Sequence, residues 1–183
     1  ERQRIRLRLG ETVARLRPAD RTVETAAGET LPYDALLLAT GARASLPPVA
    51  GTDLKGVFVL RTLDDALALA GHLEDHRRTV VLGGGLLGLE IARAVRSRGG
   101  EVRVVEFFDR LLPRQLDPAA AAILRIQVER MGVAVVLGAV TKEILGNGAV
   151  RGLRLEGGAE FEADGVVVAA GIRPEVGPAK EAG

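Results

Sequence analysis

The chain has 183 residues, a formal net charge of +1 and no cysteine. That length suffices for one domain or two small ones, which fold without disulfides or metal by burying about 70% of the unfolded surface. The near-neutral charge excludes a global field toward nucleic acid or membrane, no apolar run approaches the roughly 18 residues of a membrane helix, and the lack of cysteine excludes a thiolate nucleophile or a thiolate-held iron–sulfur site in this stretch.

At the start, Arg4, Arg6 and Arg8 alternate with Ile5, Leu7 and Leu9. Period two predicts a strand with one buried face and one solvated arginine face. "TVARLR", "TVETAAG" and "ALLLATG", broken by "PAD" and "GETLPYD", read as an antiparallel meander that runs into a buried strand. "LPPVAGTDL", residues 46–54, reads as a linker. Thr62 then caps a helix, with Asp65 as the capping-box acid. Leu63, Ala66, Leu67, Ala70 and Leu73 recur at helical spacing. His72 and His76 are the only histidines. Their separation of four could chelate a metal, but no third ligand is evident, so a solvated helix face is the reading and no metal site is expected.

"TVVLGGG" is an apolar strand ending in glycines, "LLGLEIARAVRSRGG" a helix with a glycine stop, and "EVRVVE" a second strand. This is a strand–helix–strand unit of the right-handed parallel type. Asp117 and Pro118 open another helix as N-cap and first-turn proline. "VAVVLG" is a third parallel strand. "VTKEILGNGAVRGLRLEGGAEFEADG" is a second meander with "NG" as a hairpin turn, and "VVVAAG" closes the unit.

The chemistry sits in Gly83-x-Gly85-x-x-Gly88, which follows the apolar strand and starts the helix. In a dinucleotide fingerprint the first glycine permits a tight turn, the second lets backbone approach a pyrophosphate, and the third lets helix and strand pack. Backbone N–H groups of Gly84, Gly85, Leu86, Leu87 and Gly88 are then placed around the phosphates, at the positive end of the helix dipole. Glu106 ends the next strand, where a carboxylate accepts hydrogen bonds from ribose hydroxyls. It would repel a 2′-phosphate and so favours NAD over NADP, although Arg110 or Arg114 could pair with that phosphate. Glu90, two residues past Gly88, is either an acid directed toward the nicotinamide or an exposed carboxylate paired with Arg93 or Arg96.

A repeat overlies these elements. "GETLPYDALLLATGAR", residues 28–43, matches "GAEFEADGVVVAAGIR", residues 158–173, at a constant offset of 130 that aligns Gly28, Asp34, Gly41 and Arg43 with Gly158, Asp164, Gly171 and Arg173. The second copy follows a glycine fingerprint and the first does not.

"VVLGGGLLGLEIARAVRSRGGEVRVVE", "ATGAR" and "AAGIRP" resemble the two-dinucleotide-domain flavoprotein reductases. Within them, "GGGLLGLE", "RLLPRQLD", "ERMGV" and "GIRPE" are most similar to the nitrite-reductase branch. The resemblance implies an α/β, Rossmann-like FAD/NAD(P)-binding fold with a parallel sheet, a three-stranded antiparallel meander and a partial second, FAD-binding domain. It implies residues 1–46 as the FAD part, 47–172 as the NAD-binding domain and 173–183 as the start of a return segment. The first copy's missing glycines are then expected about 50 residues upstream.

By resemblance, Gly83, Gly85 and Gly88 hold the NAD pyrophosphate, Glu106 the ribose, Gly171 the nicotinamide edge and Gly41 the passage beside FAD, while Glu90 is the acid at the nicotinamide–flavin contact. NADH is the expected electron donor and FAD the acceptor in a longer parent, with siroheme and an iron–sulfur cluster outside this chain. Glu175 departs from the asparagine common after "RP", which fits nitrite-reductase-like members. A homo-oligomeric, cytoplasmic protein without nucleic-acid or membrane partners is expected, with this stretch alone inactive. The competing reading is an NAD-binding sensor or interaction module without redox activity.

Overall fold

The computed structural model describes residues 5–183. The chain divides into two compact units, Glu1–Arg43 with Arg173–Gly183, and Ala44–Ile172.

The first unit opens with the meander β1 (Val13–Arg17), β2 (Thr22–Thr25) and β3 (Thr30–Pro32), in that spatial order. Arg17 pairs with Glu24 across β1 and β2 at 3.0 Å. The expected strand over residues 4–9 is not formed at its described positions. Residues 5–8 have no regular structure, Gly10 follows at φ +70°, and Ile5, Leu7 and Leu9 are exposed; Arg4 lies outside the described residues. Alternation alone does not make a strand, because its backbone groups need a neighbouring strand. Arg8 instead pairs with Glu11 and Glu29. The expected buried strand over residues 35–41 is also absent: Leu36, Leu37 and Leu38 are exposed and no strand pairs with them. β4 (Ala42–Ala44) follows.

The second unit carries β5 (Val57–Val59), which no sequence signal announced, then helix α1 (Leu63–Asp75), β6 (Arg78–Leu82), α2 (Leu86–Ser97), β7 (Glu101–Val105), α3 (Pro118–Arg130) and β8 (Val133–Val136). A second meander, β9 (Thr141–Gly146), β10 (Val150–Leu155) and β11 (Glu160–Glu162), leads into β12 (Gly165–Val168). The chain ends in β13 (Ile172–Pro174), which forms a two-stranded sheet with β4, and the short helix α4 (Gly177–Glu181).

The capping signals are realised. Thr62 Oγ1 accepts the Asp65 N–H at 3.2 Å, and the Asp65 carboxylate accepts the Thr62 N–H at 2.7 Å. Asp117 caps α3 through the Ala120 N–H at 2.8 Å. His72 and His76 stack with ring centroids 4.0 Å apart, and His72 Nε2 donates to the Asp164 carbonyl. Burial, and then the neighbouring His76, push the His72 imidazole below its usual pKa. No group of metal-ligating side chains is found among the described residues.

β5, β12, β6, β7 and β8 form one parallel sheet in that order. Period-two alternation sorts its residues between two faces. Val81, Val102, Val104, Val133 and Val167 meet helix residues such as Leu69, Ile91, Val95 and Val128. Val80, Leu82, Val105, Val166 and Val168 face the meander, with Ile144, Leu153 and Leu155. Both faces are covered, so the central strands read as unbroken aliphatic runs. Each fully buried valine contributes about 1.5–3 kcal/mol relative to exposure. The layering sets the carboxyl ends of β6, β7 and β12 side by side at one edge, where Gly83, Glu106 and Ala169 follow. Among the described residues, no helix is long and apolar enough to cross a membrane.

Candidate functional site

The glycines after β6 differ in what a side chain at each would meet. Gly83 has φ +115°, and a Cβ there would lie 2.5 Å from the Ala169 carbonyl oxygen beyond β12. Its N–H continues the ladder to the Val105 carbonyl at 2.9 Å. A Cβ on Gly88 would meet the Gly83 carbonyl oxygen at 1.9 Å, so this glycine brings α2 down onto the strand. Gly85 is different. Its φ is −78°, which any residue adopts, and a Cβ there would meet nothing within 4 Å. The fold itself does not require glycine at this position, which faces open space. Gly84 is tight for its own reason, since a Cβ would lie 2.6 Å from Leu111 and 3.1 Å from Glu106.

Gly85 is also the N-cap of α2 and offers no side chain to its first turn, which has no acidic residue. The helix thus presents backbone N–H groups and the positive end of its dipole to the space before Gly85. That space is a cavity of about 750 Å³ whose wall includes Gly83, Gly85, Leu86, Leu87, Glu106 and Gly171. Most of the remaining wall is apolar.

Glu106 is 6% exposed. One carboxylate oxygen accepts the Gly84 N–H at 2.5 Å and the other the Phe108 N–H at 2.8 Å. A buried carboxylate needs such donors, and they orient it along the cavity wall. Each oxygen retains a lone pair for a further donor. Leu112 holds the loop after β7 against the glycine turn: its N–H donates to the Gly84 carbonyl at 3.1 Å, and its φ is +48°. A bulky residue in the left-handed region is strained, and here the strain lies beside the cavity.

The structure does not gather all of the expected residues. Gly83, Gly85, Leu86, Leu87, Glu106 and Gly171 line the cavity, while Gly84 and Gly88 support its floor. Arg110 is turned aside by Asp109 at 3.0 Å and the Pro113 carbonyl at 3.2 Å, and it is Arg114 that lines the cavity. Glu90 is not on the wall. It lies four residues past Leu86, about 6 Å further along the helix, borders an apolar cleft with Leu60 and Leu69, is 72% exposed, and approaches Arg93 at 3.8 Å. Gly41 belongs to the first unit, with φ +75° and a carbonyl that accepts the Glu175 N–H at 2.9 Å.

Sequence reasoning missed Phe107 and Phe108, which line the cavity with their rings edge to face at 5.3 Å. They are half of the chain's four phenylalanines, placed directly after the strand-end acid, and that clustering was a usable signal. It also missed the wall formed by Pro47, Pro48 and Val49, which composition marked only as linker.

Comparison with known proteins adds to this geometry. A family model described as pyridine nucleotide-disulphide oxidoreductase matches residues 1–183. The chain is 43% identical over 179 residues to the nitrite reductase [NAD(P)H] large subunit of Klebsiella oxytoca, covering 98% of this chain and 19% of that protein. It is 41% identical over 156 residues to the rubredoxin-NAD(+) reductase of Pseudomonas putida, covering 85% of this chain and 40% of that protein. A ferredoxin reductase from Rhodopseudomonas palustris superposes with a TM-score of 0.90 at 32% identity, over 95% of this chain and 43% of its own. The chain therefore spans less than half the length of these relatives.

Proposed function

Because the chain belongs to the pyridine nucleotide-disulphide oxidoreductase family, we propose that its glycine cavity binds NADH and presents the nicotinamide for hydride transfer to a flavin, within a nitrite reductase of the NADH-dependent kind. The observation that carries this reading is Gly85: it alone of the three fingerprint glycines has no clash within the fold to explain it, and it faces a cavity at an uncapped helix N-terminus. A backbone without side chain, N–H groups aimed outward and a positive dipole end together form a pyrophosphate cradle.

In this proposal Gly83 sets the turn, the N–H groups around Gly85, Leu86 and Leu87 hold the pyrophosphate, and Glu106 accepts hydrogen bonds from the adenosine ribose. Arg114 takes the place beside the ribose that the sequence offered equally to Arg110. Gly171 bounds the nicotinamide end. Glu90 stands outside the cradle, on an exposed part of the second turn of α2. NADH supplies a hydride from its C4 when bound. The chain's own contribution is alignment and exclusion of water, which needs neither an acid nor a base. Siroheme and an iron–sulfur cluster, if the parent carries them, lie outside this chain, which has no cysteine to hold a cluster.

Titration calorimetry tests the reading. NADH binds the chain more tightly than NADPH, and Glu106→Gln narrows the gap by removing a charge that repels the 2′-phosphate. Equal or tighter binding of NADPH to the unmodified chain defeats the ribose assignment, and no binding of either defeats the cavity assignment.

A further inference from the structure

Helix α3 is apolar on two opposite sides. Ala121, Leu124 and Val128 recur at helical spacing on the sheet side, where Leu124 and Val128 join Val102, Val133 and the rest of that core. On the side turned away, Ala119, Ala122, Ile123 and Ile126 recur at the same spacing and are exposed, Ile123 at 63% and Ile126 at 49%. Helix α2 shows the ordinary pattern: beyond its first turn the exposed positions are Glu90, Arg93, Ala94 and Ser97. A helix that is apolar all round is normally a buried one, and α3 is covered on one side only. It packs on β8, the edge strand of the parallel sheet, whereas the chain leaves this unit after β12, three strands away.

Charge is arranged symmetrically about the stripe. Arg125 and Glu129 flank it and pair with each other at 2.8 Å. At its ends stand two opposite charges that have no ion pair among the described residues: Asp117, the exposed N-cap, and Arg130, in the last turn. The stripe is therefore complementary to itself. In an antiparallel pair centred between Ala122 and Ile123, the larger half of each stripe meets the smaller half of the other. Ile126 lies against Ala119 of the second copy, and Ile123 against Ala122. Arg130 comes within a side chain's reach of Asp117 of the second copy, and the helix dipoles run in opposite directions. The alanines let the two axes approach to about 8 Å, the close end of the range for packed helices. A parallel pair sets isoleucine against isoleucine and like charges together.

We propose that the outward face of α3 is a two-fold interface between copies of this chain. Such an interface is isologous, so forming it uses up the patch on both copies and closes the assembly at a dimer. One helix of 13 residues per copy buries less than the roughly 1,200 Å² of a standard interface, which makes the dimer reversible, with a Kd on the order of 10–100 µM. A strongly charged partner fits less well, because Glu129 already neutralises the arginine beside the stripe.

The test is sedimentation of the 183-residue chain, without nucleotide, from about 1 µM to about 300 µM, which spans the expected Kd. The chain passes from monomer to dimer across that range. Ile126→Glu raises the dimer Kd about tenfold or more by placing a carboxylate in the covered stripe. Its urea midpoint matches the parent, since Ile126 belongs to neither core cluster. Arg130→Glu raises the Kd by a smaller factor, about threefold. Because the chain has no cysteine, Ala122→Cys reports the face directly. Under mild oxidation it forms a disulfide-linked dimer about tenfold faster than Ala68→Cys, on the exposed side of α1. If Ile126→Glu lowers the urea midpoint, the Ala122→Cys rate alone decides. The proposal is overturned by a monomer throughout the range, by association that a folded Ile126→Glu leaves intact, by species larger than a dimer, or by equal disulfide rates at the two positions.

Discussion

At the scale of single residues, Gly83, Gly85 and Gly88 stand two and three positions apart yet do unlike work, and substitution separates them. Gly88→Ala drives a Cβ to 1.9 Å from a backbone oxygen that has nowhere to move. We expect a loss of about 2–4 kcal/mol in urea unfolding, within the range of severe overpacking. Gly85→Ala adds a methyl group to open space at an ordinary φ. It leaves stability within about 0.5 kcal/mol, or raises it slightly by restricting the unfolded chain. We expect NADH affinity nonetheless to fall tenfold or more, because in the proposed binding mode the methyl group would occupy the pyrophosphate position. A Gly85→Ala chain that binds NADH like the parent removes the main support for the site. All three residues are written as the same letter; only the surroundings of each missing Cβ tell them apart.

At the scale of elements, local signals and long-range clamps contribute separately. The capping box of α1 is local, and Thr62→Ala costs about 1 kcal/mol in chemical denaturation with the NADH affinity unchanged. Asp164 is a long-range clamp between β12 and β6. The Arg78 guanidinium lowers its carboxyl pKa to about 2 from an ordinary 3.8, against the opposing effect of burial. A depressed carboxylate pKa stabilises the fold at pH values above the unfolded pKa, and that contribution disappears as pH falls through the folded one. The loss therefore lies between about pH 4 and pH 2. Because the Arg78 side chain is 42% exposed, solvent screening limits the contribution to on the order of 1 kcal/mol. Asp164→Asn is less stable than the parent at pH 7, and the difference closes across that window. A constant difference from pH 7 to pH 2 rules out the clamp as an ion pair.

At the scale of the whole molecule, the two units differ in completeness of pairing. The second has a sheet covered on both faces and one glycine fingerprint at its carboxyl edge. The first has a meander and, among its described residues, a leucine run that no strand pairs with and no strand–turn–helix of the fingerprint type. The purified chain should accordingly bind NADH yet be colourless, with no flavin absorption after incubation with FAD and gel filtration, and without NADH-dependent dye reduction. A yellow chain with stoichiometric flavin contradicts this, since most of the affinity for a dinucleotide comes from its pyrophosphate site.

The elements of the second unit were legible because their signals are local. The TVVL run, the fingerprint spacing, the Thr62 and Asp117 caps and the Asn147–Gly148 turn each specify backbone conformation within a few residues. The parallel fold class followed from strands alternating with helices. Side-chain direction was not legible. Arg110 and Arg114 carry the same charge on the same loop, and only the Asp109 and Pro113 contacts decide which one faces the cavity. The helical position of Glu90 was plain from spacing, but not that it falls outside the cavity wall. The Ile5–Leu9 alternation and the Leu36–Leu38 run illustrate the same limit from the other side. Period and hydrophobicity describe what a segment would bury, whereas burial itself requires a neighbouring strand to take its hydrogen bonds. Sequence determined the conformations this chain prefers locally; the tertiary structure decided which of them are paired, because pairing depends on residues far apart in the chain.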